Sequence, residues 1–185
     1  MKPILRSLLV GGWLVGVTIP AAAQAPASLK ADLIKSVGEV EAKYVGLAEA
    51  MTAAQYAWRP AEGVRSVREV FLHVASDNYF LPAALGIAAP AETKITATDF
   101  AAVQAFEKQD LDRDATIAAL KASFAHLKKA MEAVPESRFD EPMKFFGQDF
   151  TGRGILVATT THLHEHLGQS IAYARMNGVK PPWSR

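Results

Sequence analysis

The sequence predicts an all-α protein, a four-helix bundle preceded by a cleavable leader. Three observations predict it. Alanine is abundant and glycine sparse between Ser28 and Ala133, a composition that favours helix. Apolar residues recur at spacings of three and four in four separate stretches, as the buried stripe of an amphipathic helix requires. No stretch shows the alternation of a half-buried strand, and no repeat or low-complexity tract interrupts the chain. Four helices of this length joined by mixed loops are the parts of a bundle.

The leader has three zones. Lys2 and Arg6 supply positive charge, Ser7 to Ile19 is an uncharged and mostly apolar run, and Ala21 to Ala25 offer small-residue cleavage sites. That order is the signature of a secretory signal peptide, and the apolar run falls short of the ~20 residues of a membrane span. Residues 1–23 are therefore expected to be removed, with cleavage after Ala25 as the alternative. The cut after Ala23 is preferred because the other would place Pro26, with no N–H and a fixed φ, at the new terminus. The mature protein would be periplasmic or secreted, with no stable membrane span.

The helical domain is expected over residues 28–185. The first helix runs from Ser28 to Met51 on a stripe of Leu29, Leu33, Val37, Val40, Tyr44, Leu47 and Met51. Tyr56 to Gly63 is a connector. Ser66 then opens the second helix as N-cap, with Glu69 three residues on completing a capping box. Val67, Val70, Phe71, Val74 and Leu81 form its apolar side, and Pro82 and Gly86 end it. The third helix covers Asp99 to Val134, in one piece or in two with Asp112 or Asp114 capping the second. Arg138 to Phe150 reads as loop, with Phe145 and Phe146 packing on the bundle end. The fourth helix begins after Thr151 and runs to Met176, where Asn177-Gly178 and Pro181-Pro182 stop it.

The chain has no cysteine, which excludes disulfides, thiolate chemistry of its own and a lipid anchor on an N-terminal Cys. With Lys2 and Arg6 removed, 18 basic residues face 19 acidic ones. Such a balance, without a basic stripe, argues against a nucleic-acid partner.

The chemistry that remains lies with five histidines. His162 and His166 are four apart on the fourth helix and so share a face, with Cβ atoms about 5–6 Å apart. Both rings can reach one divalent cation at about 2.0–2.1 Å. The spacing alone also fits two interior polar residues satisfied by hydrogen bonds. Their neighbours favour the cation. Gln169 and Tyr173 continue their face and Leu163, Leu167 and Ile171 flank it, so the rings lie on or beside the buried stripe. His73 sits likewise beside the apolar side of the second helix. A site of His73, His162 and His166 with an open fourth position would be of the catalytic type. Asp77, one turn after His73, is a fourth ligand, an acceptor that fixes an imidazole tautomer, a general base, or simply a solvated carboxylate or the acceptor of a helix–helix hydrogen bond. Gln169 orients a water or caps a buried group. His126, near Lys128 and Lys129, and His164, about 200° around the helix from His162, read as surface residues.

Leu72-His73-Val74-Ala75-Ser76-Asp77-Asn78-Tyr79-Phe80 resembles the second-helix segment of DinB-like proteins, the DinB/YfiT metalloenzyme superfamily. His162-Leu163-His164-Glu165-His166-Leu167-Gly168-Gln169, continuing to Pro181-Pro182-Trp183-Ser184, looks like its fourth-helix signature, and Trp58-Arg59-Pro60 with Val64-Arg65-Ser66 like the segment leading into its second helix. The resemblance implies a bundle with a long crossover, often dimeric, holding one divalent ion, commonly nickel or zinc. Carried over by position, the ligands are His73, His162 and His166. It implies a small-molecule or thiol substrate, since some relatives are thiol transferases or thiol-dependent isomerases. An exported location weighs against the thiol role, because reduced thiol cofactors are scarcer in oxidising compartments. The expected function is a metal-dependent enzyme, of transferase or hydrolase type. A non-catalytic metal- or ligand-binding bundle is the alternative.

Overall fold

The computed structural model describes residues 28–184; the expected leader lies outside the described residues. The first helix, α1 (Leu29–Ala50), starts where the Ser28 hydroxyl accepts a hydrogen bond from the Ala31 N–H. A single turn, α2 (Ala53–Tyr56), follows within the connector. The expected capping box opens α3 (Val67–Ala84). The Glu69 N–H donates to Ser66 Oγ at 3.2 Å, and the Ser66 N–H donates to Glu69 Oε2 at 2.6 Å. Pro82 falls in the last turn of this helix, and Gly86, at φ +83°, turns the chain away.

The third expected helix is two, α4 (Phe100–Glu107) and α5 (Arg113–Ala133), because Asp99 and Asp112 each cap a separate N-terminus. Of the two candidate caps for α5, Asp112 takes the role, accepting from the Ala115 N–H. The last helix, α6 (Gly152–Met176), is capped by Thr151 and ends at Asn177, with Gly178 at φ +73°. No helix among the described residues is long and apolar enough to cross a membrane.

The four long helices form the bundle. α1 packs on α5 and α6, and α3 packs on the same two, so the first two long helices take opposite corners. Tyr44, Phe71 and Phe124 interlock at the centre, with ring centroids 6.4 Å and 5.7 Å from Tyr44. Leu47, Leu120, Leu127, Ile155 and Leu163 close around them. Burying such a side chain contributes roughly 1.5–3 kcal/mol each, which is why the stripes read from the sequence are the faces found inside. Tyr44 also satisfies its hydroxyl by donating to the Leu163 carbonyl at 2.8 Å, tying α1 to the middle of α6.

Two expectations are overturned. The segment read as loop from Arg138 to Phe150 contains a β-hairpin, β1 (Pro142–Phe145) paired antiparallel with β2 (Gln148–Thr151). Its two-residue turn is Phe146-Gly147, both with positive φ, at 48° and 74°. This is the primed turn that matches strand twist, but it usually carries Asn-Gly or Asp-Gly. A left-handed phenylalanine costs roughly 1–2 kcal/mol, and its presence hid the hairpin signal. Phe145 and Phe146 do pack at the bundle end, against Phe80 at 5.6 Å and 5.7 Å between centroids. His126 departs from expectation too. It is half-buried against the Tyr79 ring at 5.1 Å, with its Nε2 shut off from solvent, because its position on α5 turns it towards α3. His164 is exposed as expected, its Nδ1–H donating to the Thr160 carbonyl at 2.8 Å.

Candidate metal centre

α3 and α6 are neighbours, and their facing sides bring His73, His162 and His166 together. One nitrogen from each ring lies within 4.8 Å of the others. The His73 and His166 Nε2 atoms are 3.1 Å apart, and the ring centroids of the three pairs are 4.4–5.3 Å apart. The helical geometry explains the convergence: residues four apart on α6 stack on one face, and His73 meets them across the interface.

The outer nitrogens show how the rings are set. His166 Nδ1–H donates to Gln169 Oε1 at 2.8 Å, and the Gln169 amide in turn donates to the Tyr173 hydroxyl at 3.1 Å. Tyr173 is braced edge-on by Trp58, 5.3 Å away. The Nδ1 of His73 faces Glu107 Oε2 at 3.2 Å, off the line of a straight hydrogen bond. Glu107 is itself gripped by Arg65 through two contacts of 2.6 Å and 3.0 Å. With their Nδ1 protons directed outward, His73 and His166 turn their Nε2 lone pairs inward. Two lone pairs 3.1 Å apart repel unless a proton or cation lies between them, so this donor set fits a divalent ion.

Asp77 joins the inner face. Its Oδ2 accepts from His162 Nε2 at 2.7 Å and lies 3.4 Å from His73 Nε2. At 13% side-chain exposure it is no solvated helix carboxylate. Gln169 accepts from the half-buried His166 ring.

The electrostatics of His166 suit a neutral ligand. Burial, aided by the neighbouring imidazoles, holds His166 below its ordinary pKa against the opposing pull of Gln169 and Glu165. Burial pushes the Glu107 carboxyl up, but His73 and Arg65 outweigh it and hold the group at about 2. Glu107 therefore stays an anion beside His73, the arrangement by which a carboxylate fixes a ligating histidine. Sequence reasoning missed Glu107. It reads as one more acid at the end of a short helix, and its partners lie 34 and 42 residues away.

A cavity of about 410 Å³ opens beside the cluster. His73, Asp77 and His162 form its floor, and Phe80, Leu81, Phe100, Phe145 and Phe146 form most of its wall.

A bundle with opposed first helices and an inward-facing histidine cluster beside an open pocket defines a class of four-helix proteins. The comparisons then place the chain: the sequence profile of the DinB superfamily matches residues 37–170, and the chain belongs to that superfamily. Three solved structures share the fold. A DinB-like protein from Bacillus subtilis, YjoA, is 21% identical with a TM-score of 0.60, covering 80% of this chain and 93% of its own. YfiT from Bacillus subtilis, described as a probable metal-dependent hydrolase with an unusual four-helix bundle topology, is 18% identical with a TM-score of 0.62, covering 90% and 97%. A variant of the mycothiol-dependent maleylpyruvate isomerase is 15% identical with a TM-score of 0.62, covering 75% of this chain and 59% of that one. No curated protein sequence matches the chain.

Proposed function

We propose that this protein is an exported, metal-dependent enzyme of hydrolytic type, holding one divalent ion through His73, His162 and His166. The observation that carries the reading is the convergence of three imidazoles, two of them with an outer nitrogen facing Gln169 or Glu107, beside an open pocket that His73 and His162 line. A structural site is closed by four protein ligands, whereas three neutral histidines leave a position for substrate or water. Nickel or zinc suits an imidazole set. Bound there, such an ion would supply Lewis acidity to a substrate carbonyl or to water.

The residues of the chain supply the rest. Asp77 Oδ2, the carboxylate oxygen on the inner face, lies beside the ring nitrogens of His162 and His73 and is placed to accept a proton from a reacting water. Gln169 and Glu107 hold the His166 and His73 rings in the tautomer that faces inward. The phenylalanine wall keeps water away from one side of the floor. YfiT, described as a probable metal-dependent hydrolase, supports this reading by its fold. A non-catalytic metal-binding bundle is the second reading, favoured by how apolar the wall of the pocket is.

Elemental analysis tests the centre. Protein purified without chelator is expected to carry about one nickel or zinc ion per chain. A protein that takes up no divalent ion after dialysis against either metal would refute it. Export is tested separately by N-terminal sequencing of the mature protein from the cell exterior, which should start at Gln24; a chain starting at Met1 would refute that part.

A further inference from the structure

The pocket beside the histidines has an unusual lining. Four phenylalanines from three separate elements meet in it: Phe80 of α3, Phe100 of α4, and Phe145 and Phe146 of the hairpin. Their centroids lie 4.4–6.2 Å apart, from Phe145–Phe146 to Phe80–Phe100. Two of these rings are not there to fill a core. Phe146 is 66% exposed and Phe100 is 48% exposed. Phe146 moreover occupies a left-handed turn position that glycine or asparagine would take with less strain. Phe146 packs on Phe80 and Phe145, yet most of its surface stays open at the mouth of the cavity, where a ligand can meet it.

The charges point the same way. Asp77 sits on the floor and Glu165 on the rim, and among the described residues no lysine or arginine lines the cavity. Arg65, whose charge is felt at Asp77 on the floor, is committed to Glu107. An anionic ligand group directed away from the histidines would therefore meet carboxylates and no counter-charge.

From these observations we infer that the pocket takes a compact aromatic substrate, uncharged or cationic, with its body among Phe80, Phe100, Phe145 and Phe146. The assignment of the histidine end as the reacting end rests on the function proposed above; the nature of the body does not. Hydrophilic small thiols bearing several carboxylates fit this lining poorly, and aryl substrates fit it well. A cationic group gains further from the faces of the rings.

The test uses three probes with one bicyclic body: 2-naphthylmethylamine, 2-naphthalenemethanol and 2-naphthoate. Binding to the mature protein, stripped of metal, is measured by calorimetry. The amine and the alcohol should each bind at least about tenfold more tightly than the naphthoate, as expected for an anion facing carboxylates in a partly desolvated site. Phe146→Ala, shown to be folded by its thermal unfolding, should weaken the amine and the alcohol about fivefold. Glu165→Gln should narrow the gap between amine and naphthoate. Naphthoate binding as tightly as the amine, an unchanged affinity in Phe146→Ala, or no binding by any probe would overturn the inference. Since metal is absent from the assay, this result and the ion content of the purified protein fail independently.

Discussion

Replacing His162 by alanine is expected to abolish stoichiometric uptake of the divalent ion, with an affinity loss greater than about 100-fold. The bound is set by the weaker case: removing a group that merely orients a metal ligand typically costs ~10–100-fold. Glu107→Ala supplies that weaker case here, since Glu107 touches His73 from outside the cluster. A competition titration against a chromophoric chelator should rank wild type above Glu107→Ala, and Glu107→Ala above His162→Ala. The His162 variant leaves Asp77 without its 2.7 Å partner, so some stability will go with it. His166→Ala is the cleaner companion, because Gln169 keeps its contact with Tyr173. Thermal unfolding in chelator separates the two effects. With metal in excess of its dissociation constant, wild type should melt higher, and neither histidine variant should follow. If His162→Ala and His166→Ala retained wild-type ion content, the proposed ligand set would be wrong.

The sequence disclosed this site unevenly. His162 and His166 were legible because their relation is local: four residues on one helix fix their separation whatever the rest of the chain does. The helix ends were legible for the same reason. Ser66 with Glu69, Asp112 and Thr151 cap through bonds to backbone three residues away. His73 was legible only by its apolar neighbours and by resemblance, since its meeting with α6 depends on packing. Glu107 was not legible at all, because nothing in its own segment distinguishes it from a solvated acid. Asp77 lay between these cases. Its position one turn from His73 was plain, but only the fold places it within reach of His162, 85 residues on. The hairpin was missed because Phe146 replaces the usual turn residue, and His126 because Lys128 and Lys129 beside it suggested a solvated face. In both, side chains distant in sequence (Phe80 and Tyr79 respectively) supply what local preference does not.

Gly152→Ala is expected to destabilise the protein by about 3 kcal/mol, the upper part of the range for overpacking. For a domain of this size that corresponds to a fall in Tm of about 6–12 °C. Gly152 is the first residue of α6, directly after the last residue of β2. A β-carbon there would lie 2.2 Å from the Arg138 carbonyl oxygen, and backbone cannot swing aside as a flexible side chain can. The adjacent Arg153 N–H donates to the Phe139 carbonyl at 2.8 Å, so the two segments are bound together at that point. Gly168→Ala, in the same helix but with nothing within 4 Å of the added carbon, should do the opposite and stabilise by about 0.5–1 kcal/mol. Equal effects from the two substitutions would show that close approach is not what requires glycine at residue 152. The junction also separates the two halves of the site. His162 lies ten residues further along α6, about 15 Å at 1.5 Å per residue, whereas Phe145 and Phe146 are carried by the hairpin that runs straight into Gly152. Displacing the junction should therefore loosen the aromatic wall before it disturbs the histidines. At temperatures where the variant stays folded, it should lose affinity for the naphthyl probes while keeping its divalent ion.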